Sequence, residues 1–402
     1  MKNIEIIKVV NSNEFVGIKI THETVKIFVP ALLRISDNEK MKIQDILSFL
    51  KSISLARKKI KEQVENKILD TQEYYWPIDS YVWIISDYLE NGVFYNYSIQ
   101  YFNNTKGKIN WKKTLQKHPI ISNGNIIYTD FVCSKFSQTN DIYSDIYKYC
   151  LNIANERMGW LFNSNIKVEC NLTLLLKEMI SLIERESEKT FDDLKSLRFQ
   201  HMTQILQNVN SNNFGNHYNS YGINNYYYVY EKMIDHAFGN ISNKQSYYPH
   251  GIWHVDNKIF NASALIPDTL LIKDNITYII DAKMYKYAIK YNRELLPSTQ
   301  SIQKQITYGD YLYYVKNIQN IRNIFILPMD KMETDQENLN NMNYIAYAVG
   351  DWRNIMDMKD YDYIFTFSID LNFLLNNYKK NLTIYIEWMC NEITVHLNYI
   401  KQ

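Results

Sequence analysis

The sequence predicts an α/β fold in which a mixed sheet is flanked by helices, preceded by an α+β region. Two observations lead to this class. Apolar stretches with strand and helix periodicity alternate along the second half of the chain, whereas the first half begins with strands and continues mainly with helices. At 402 residues, of which 46% are hydrophobic, the chain exceeds the usual size of a single core. An Asn-rich break at residues 208–219 then predicts two domains, residues 1–210 and residues 211–402.

The first domain is predicted to contain strands followed by helices. Alternating apolar and polar residues predict three strands, at Ile4–Val10, Phe15–Thr21 and Thr24–Val29. Helical spacing of apolar residues follows at 40–67, 77–89, 141–158 and 171–207, with one further strand at 125–131. We expect this α+β region to recognise DNA or to dock a partner.

The second domain is predicted to alternate between the two kinds of element. A helix at Tyr226–Phe238 precedes a meander of three strands, at 252–260, 264–272 and 277–283. A helix at 299–315 then leads to strands at 323–327, 344–349 and 363–368. A meander, a crossover helix and returning strands together predict a mixed sheet covered by helices.

Two of these strands carry a short polar pattern. Asp268 follows a proline near the start of one strand, and Asp281 and Lys283 lie in the next. The polar turn between the strands, residues 273–275, is typical of a hairpin, so the strands must pair antiparallel. Asp281 and Lys283 are two positions apart and therefore project from the same face. The hairpin thus brings two carboxylates and an ammonium into one pocket.

This set of groups suits the hydrolysis of a phosphodiester. A divalent cation lowers the pKa of a bound water and polarises the phosphoryl oxygen, and Mg²⁺ needs only one or two protein carboxylates. Asp268 and Asp281 are therefore candidate Mg²⁺ ligands, and Lys283 is a candidate for orienting the attacking water. Each half of the pattern alone is more often structural, and only their combination favours a catalytic site.

The combination resembles the PD-(D/E)xK nuclease superfamily. The resemblance implies a further acid on the preceding helix, at Glu231, acting as a catalytic residue and metal ligand, directly or through water. It also implies a supporting helix after the lysine strand, which carries Lys304 and Gln305. Gln305 and Tyr308 are separated by two residues, whereas the usual Gln and Tyr pattern has three between them.

A narrower resemblance is to the LlaJI-type restriction endonucleases, which are related to McrC nuclease subunits. The segments Phe15–Ile20 and Gly107–Thr114 add to the residues above. The resemblance implies a restriction endonuclease that hydrolyses double-stranded DNA with Mg²⁺. Three alternatives stay open: an McrC-like subunit that needs a GTPase partner, a nuclease of DNA repair or a mobile element, and a DNA-binding protein without catalysis.

Charge and cysteine content add further expectations. The net charge of +1 does not indicate a nucleic-acid binder overall, but a local cluster after the catalytic strand predicts phosphate contacts by Lys286, Lys290 and Arg293. The four cysteines lack metal-ligand spacing, and no leader or membrane-spanning run is visible, which predicts a cytoplasmic protein. Because two strands must be cut, we also expect a homodimer, at least transiently.

Overall fold

In the computed structural model the chain begins with three strands, β1 (Asn3–Val9), β2 (Phe15–Ile20) and β3 (Thr24–Pro30), as the alternation predicted. Strand β3 pairs parallel with β1 and antiparallel with β2. Helix α1 (Glu39–Ile53) follows, and its first turn is capped by the Asn38 side chain, which accepts hydrogen bonds from backbone N–H groups.

The structure describes residues 3–11, 14–21, 23–56, 76–103, 108–123, 125–139, 141–162, 166–211, 220–256, 258–284, 295–330, 341–354, 357–380 and 382–402. By internal contacts the chain divides into two units. One is Trp76–Tyr218, and the other combines Lys2–Tyr75 with Asn219–Gln402.

The unit Trp76–Tyr218 contains helices and small antiparallel sheets. Its helices are α2 (Ile78–Asn91), α3 (Trp111–Thr114), α4 (Ile142–Met158), α5 (Leu176–Ser187) and α6 (Asp193–Ser211). Its strands are β4 (Asn96–Asn103), β5 (Lys108–Ile109), β6 (Ile120–Ser122), β7 (Asn125–Ile127) and β8 (Val132–Thr139). Strand β8 pairs with β4 and β5, while β6 and β7 form a separate hairpin.

Strand β9 (Ser220–Asn224) returns to the first sheet. It pairs antiparallel with β2, so the order in that sheet is β1-β3-β2-β9. Residues near the amino terminus therefore belong to the same unit as the second half of the chain. The division at residue 210 that the sequence predicted differs from this arrangement, because local patterns do not reveal a pairing between such distant segments.

The remaining elements form the second sheet and the helices around it. They are α7 (Tyr227–Phe238), β10 (Ile252–Val255), β11 (Lys258–Asn261), β12 (Thr269–Lys273), β13 (Ile276–Ala282), α8 (Thr299–Asp310), β14 (Ile321–Met329), β15 (Met342–Ala348), β16 (Ile364–Asp370), α9 (Leu371–Asn377) and α10 (Thr383–Lys401). The sheet order is β12-β13-β14-β16-β15. Its central strands run parallel and its edge strands antiparallel, so the predicted α/β class with a mixed sheet is confirmed.

The predicted meander is only partly correct. Residues 252–260 do not join the sheet but fold on themselves as the exposed hairpin β10–β11. Asp256 has a positive φ of 47° at the bend, which reverses the chain inside the segment that alternation had assigned to one strand. Among the described helices, none is both long and apolar enough to span a membrane.

Candidate active site

The hairpin β12–β13 determines the position of the two predicted aspartates. Its turn consists of Asp274 and Asn275, both with positive φ, which is the backbone of a tight two-residue hairpin. In the resulting register Thr269 pairs with Ile280. Asp268 is the residue before Thr269 and Asp281 is the residue after Ile280, so the two aspartates lie side by side at the end of the hairpin.

Asp281 is fully buried and is contacted by two lysines. The Lys283 Nζ lies 2.6 Å from Asp281 Oδ2, as expected for residues on one face of the chain. The Lys304 Nζ, from helix α8, lies 3.3 Å from Asp281 Oδ1. Burying a carboxylate is costly unless it is paired, and here the two ammonium groups provide the pairing.

Asp268 is held in a different way. Its Oδ2 accepts a hydrogen bond from the backbone N–H of Ala282 at 3.0 Å, and its carbonyl oxygen accepts one from the Lys244 side chain. Burial raises the pKa of Asp268 well above its usual range, and the nearby carboxylates of Asp281 and Glu231 raise it further. Two carboxylates this close repel each other unless a proton or a cation lies between them.

Glu231 and Tyr308 complete the surroundings. Glu231, on α7, is close enough to raise the pKa of both Asp268 and Tyr308. Burial is the main cause of the raised pKa of Tyr308, followed by Asp281, Asp268 and Glu231. The Tyr308 hydroxyl is buried and has no hydrogen-bond partner among the described residues. The sequence assigned it no role here, although it lies one helical turn from Lys304.

The two supporting residues on α8 have different roles. Gln305 is fully buried, so it is not a solvated helix residue. Its Nε2 donates hydrogen bonds to the carbonyl oxygens of Ile279 at 3.3 Å and Ile324 at 2.9 Å. Gln305 therefore fixes the helix on the sheet, and Lys304, its neighbour, contacts Asp281.

The predicted phosphate contacts lie outside the described residues; they are Lys286, Lys290 and Arg293.

The donor set fits a magnesium ion that keeps several waters. Within the described ranges, no group of three or more His, Cys, Asp or Glu side chains is arranged to hold a metal by itself. Mg²⁺ does not require such a cage, since one or two carboxylates and water oxygens suffice. Burial raises the pKa of Asp268, and crowding against Asp281 and Glu231 raises it further. A divalent cation would relieve this crowding.

Comparisons with known proteins give a family and distant structural likenesses. A family model described as LlaJI restriction endonuclease matches residues 15–371. A half-complex from a tetradecameric assembly of Thermococcus gammatolerans McrB AAA+ hexamers with bound McrC is 12% identical, covers 92% of this chain and 83% of that chain, and has a TM-score of 0.37. The McrBC complex of the same organism is 13% identical, covers 55% of this chain and 64% of that chain, and has a TM-score of 0.23. No curated protein sequence matches the chain.

Proposed function

Because the chain belongs to the LlaJI restriction endonuclease family, we propose that it hydrolyses phosphodiester bonds of double-stranded DNA with Mg²⁺, in a restriction-modification system that defends the cytoplasm against phage. The observation that supports the reaction is the pairing of Asp268 with Asp281 beside Lys283. The same features support membership of the PD-(D/E)xK superfamily.

In this proposal the carboxylates provide the metal site. Asp268 and Asp281 would hold the ion directly, and Glu231 would bind it through a water or as a further ligand. Bound Mg²⁺ would lower the pKa of its water and neutralise charge on the phosphoryl oxygens. The backbone N–H of Ala282 keeps one oxygen of Asp268 in place, which orients the other oxygen of that carboxylate.

Lys283 has the position to orient the nucleophile. Its side chain extends from the end of the strand that carries Asp281 and is 20% exposed, so Lys283 can contact both the buried carboxylate and a solvent molecule. As a three-donor group it would hold the attacking water in line with the phosphorus. Departure of the 3′ oxygen would leave 5′-phosphate and 3′-hydroxyl ends. Lys286, Lys290 and Arg293 are proposed to contact the DNA backbone nearby.

Plasmid cleavage tests the proposed reaction. We expect Asp268→Ala to lower the cleavage rate by at least about 100-fold, because a metal ligand is lost. Asp351→Ala is the matched control, since Asp351 is an exposed carboxylate in the same unit. Full cleavage by a folded Asp268→Ala protein would refute the assignment. Discrete plasmid fragments favour a restriction endonuclease. A smear of fragments favours a nuclease of DNA repair or of a mobile element. DNA binding without any nicking favours a DNA-binding protein without catalysis.

A second candidate is a nuclease subunit that works with a GTPase. The observation that favours it is the β6–β7 hairpin in the unit Trp76–Tyr218, where Ile120, Ile121 and Ile126 are exposed. Exposed apolar clusters of this kind often mark a protein interface. Cleavage of unmodified plasmid by the chain with Mg²⁺ alone supports the stand-alone enzyme. Cleavage only after addition of a GTPase and GTP supports the subunit.

A further inference from the structure

Two lysines from different elements contact the two oxygens of one buried carboxylate. Lys283 extends from the end of the β13 strand and contacts Asp281 Oδ2, whereas Lys304 comes from helix α8 and contacts Oδ1. Both lysines are mostly buried, with 20% and 28% of their side chains exposed. The pocket therefore contains one ammonium more than the proposed reaction uses.

The position of Lys304 is fixed by its neighbours. Gln305 donates hydrogen bonds to carbonyl oxygens of both β13 and β14. In return, Asn323 of β14 donates from its Nδ2 to the carbonyl oxygen of Gln305 at 2.9 Å. Its Nδ2 also donates to the carbonyl oxygen of Tyr361 at 2.7 Å. These buried bonds attach this turn of α8 to the sheet, which places Lys304 beside Asp281.

The charges in the pocket decide how much additional cation it can hold. Asp268, Asp281 and Glu231 carry three negative charges when ionised, and Lys283 and Lys304 carry two positive charges. One divalent ion and one phosphodiester bring this set to neutrality. A second divalent ion would leave the pocket strongly positive. The ions of two-metal sites are only about 4 Å apart. A second ion beside one held by Asp281 would therefore lie close to the Lys304 ammonium, which contacts the same carboxylate. Repulsion between like charges at such distances is large inside a protein.

We propose that the active site binds a single divalent ion and that Lys304 occupies the place a second ion would take. The inference rests on the proposed function, since it assumes that Asp281 and Asp268 form the metal site. Lys304 then contacts a phosphate oxygen and stabilises charge that develops during cleavage, while Lys283 orients the water. The two lysines have separate roles although they share one carboxylate.

Counting bound Mn²⁺ tests the inference on the full chain. Electron paramagnetic resonance reports free Mn²⁺ directly, and we expect one ion per chain in the wild-type protein. In Lys304→Met we expect the Mn²⁺ count to rise from one to two ions per chain, because the repulsion by the ammonium is gone. Lys304→Arg should keep the count at one. Lys316→Met is the control, since Lys316 is an exposed lysine at the end of the π-helical turn Tyr311–Val315 that continues α8.

The outcomes separate this inference from the proposed function. Two Mn²⁺ ions on the wild-type chain would overturn it even if Lys304→Met fails to fold. Unchanged Mn²⁺ binding by a folded Lys304→Met protein would overturn it as well. Asp281→Asn tests the metal site itself: if this variant binds Mn²⁺ like the wild type, the proposed function fails at that site. Loss of Mn²⁺ in Asp281→Asn together with a single ion in the wild type supports both.

Discussion

The surroundings of Asp268 make its ionised form less stable than that of an ordinary carboxylate. Its negative charge is opposed by burial, by Asp281 and by Glu231, and these three causes raise its pKa well above 3.8. Asp281 lies beside it but has two lysines in contact. The pair thus combines one carboxylate that is already matched by positive charge with one that is not, and the unmatched carboxylate is where a cation stabilises most.

The raised pKa of Asp268 predicts an unusual pH dependence of stability without metal. An acid with a raised pKa binds its proton more tightly in the folded chain than in the unfolded chain. Its contribution to folding is therefore most favourable below 3.8 and is lost as pH rises through the raised pKa. In EDTA at neutral pH, Asp268→Asn should melt at a higher temperature than the wild type. A lower melting temperature would contradict this account.

The sequence predicted the proximity of some of these residues and not of others. Asp268, Asp281 and Lys283 were predicted because they lie on one hairpin, where strand period and turn length determine which side chains meet. The depth at which Gln305 is buried and the proximity of Tyr308 to the carboxylates were not predicted. Both depend on where helix α8 lies on the sheet, which is a matter of tertiary packing.

The site is assembled from a hairpin and a helix, which are held in position by different interactions. The hairpin β12–β13 is fixed by its own turn and register. Helix α8 is fixed by side chains, because Gln305 and Asn323 connect it to the strands. A change in the hairpin would displace the aspartates, whereas a change in the helix would displace Lys304 and Tyr308.

Gln305→Leu tests the attachment of the helix. The substitution removes two hydrogen bonds from a buried amide, and we expect it to lower the free energy of unfolding by about 1–3 kcal/mol. Gln303→Leu is the matched control, because Gln303 lies on the same helix and is exposed. Urea unfolding of both variants measures the difference. Equal stability of Gln305→Leu and Gln303→Leu would contradict the attachment.

Element boundaries were predicted best where the turn chemistry was explicit. The polar turn between β12 and β13 lies where the sequence indicated it. The β10–β11 hairpin was missed because alternation has the same period in one long strand and in two short ones. All eight residues of those two strands are exposed. Their apolar residues therefore do not mark a buried face of the sheet.

At the scale of the whole chain, the site's unit is built from two distant segments. Strand β9 lies beside β2, and Gly17 pairs with Gly222 where the two backbones come close. A Cβ on Gly222 would lie 2.4 Å from the Phe15 ring and 2.5 Å from the Val16 carbonyl oxygen. The close approach explains why glycine is needed there.

Gly222→Ala should therefore weaken the unit that contains the site. Forcing these backbones apart is expected to cost about 1–3 kcal/mol of unfolding free energy. Thermal melting of the full chain measures this loss. An unchanged melting temperature would show that the first sheet does not hold its strands as closely as described.

Asp281 and Asp268 are proposed to form a magnesium-dependent centre for DNA cleavage. The most direct measurement is the initial rate of supercoiled plasmid cleavage against Mg²⁺ concentration, for the wild type and for Asp281→Asn. We predict a saturable Mg²⁺ dependence in the wild type, no cleavage in EDTA, and a rate at least about 100-fold lower in Asp281→Asn. Cleavage by the wild type in EDTA, or an unchanged Mg²⁺ curve in a folded Asp281→Asn protein, would contradict it.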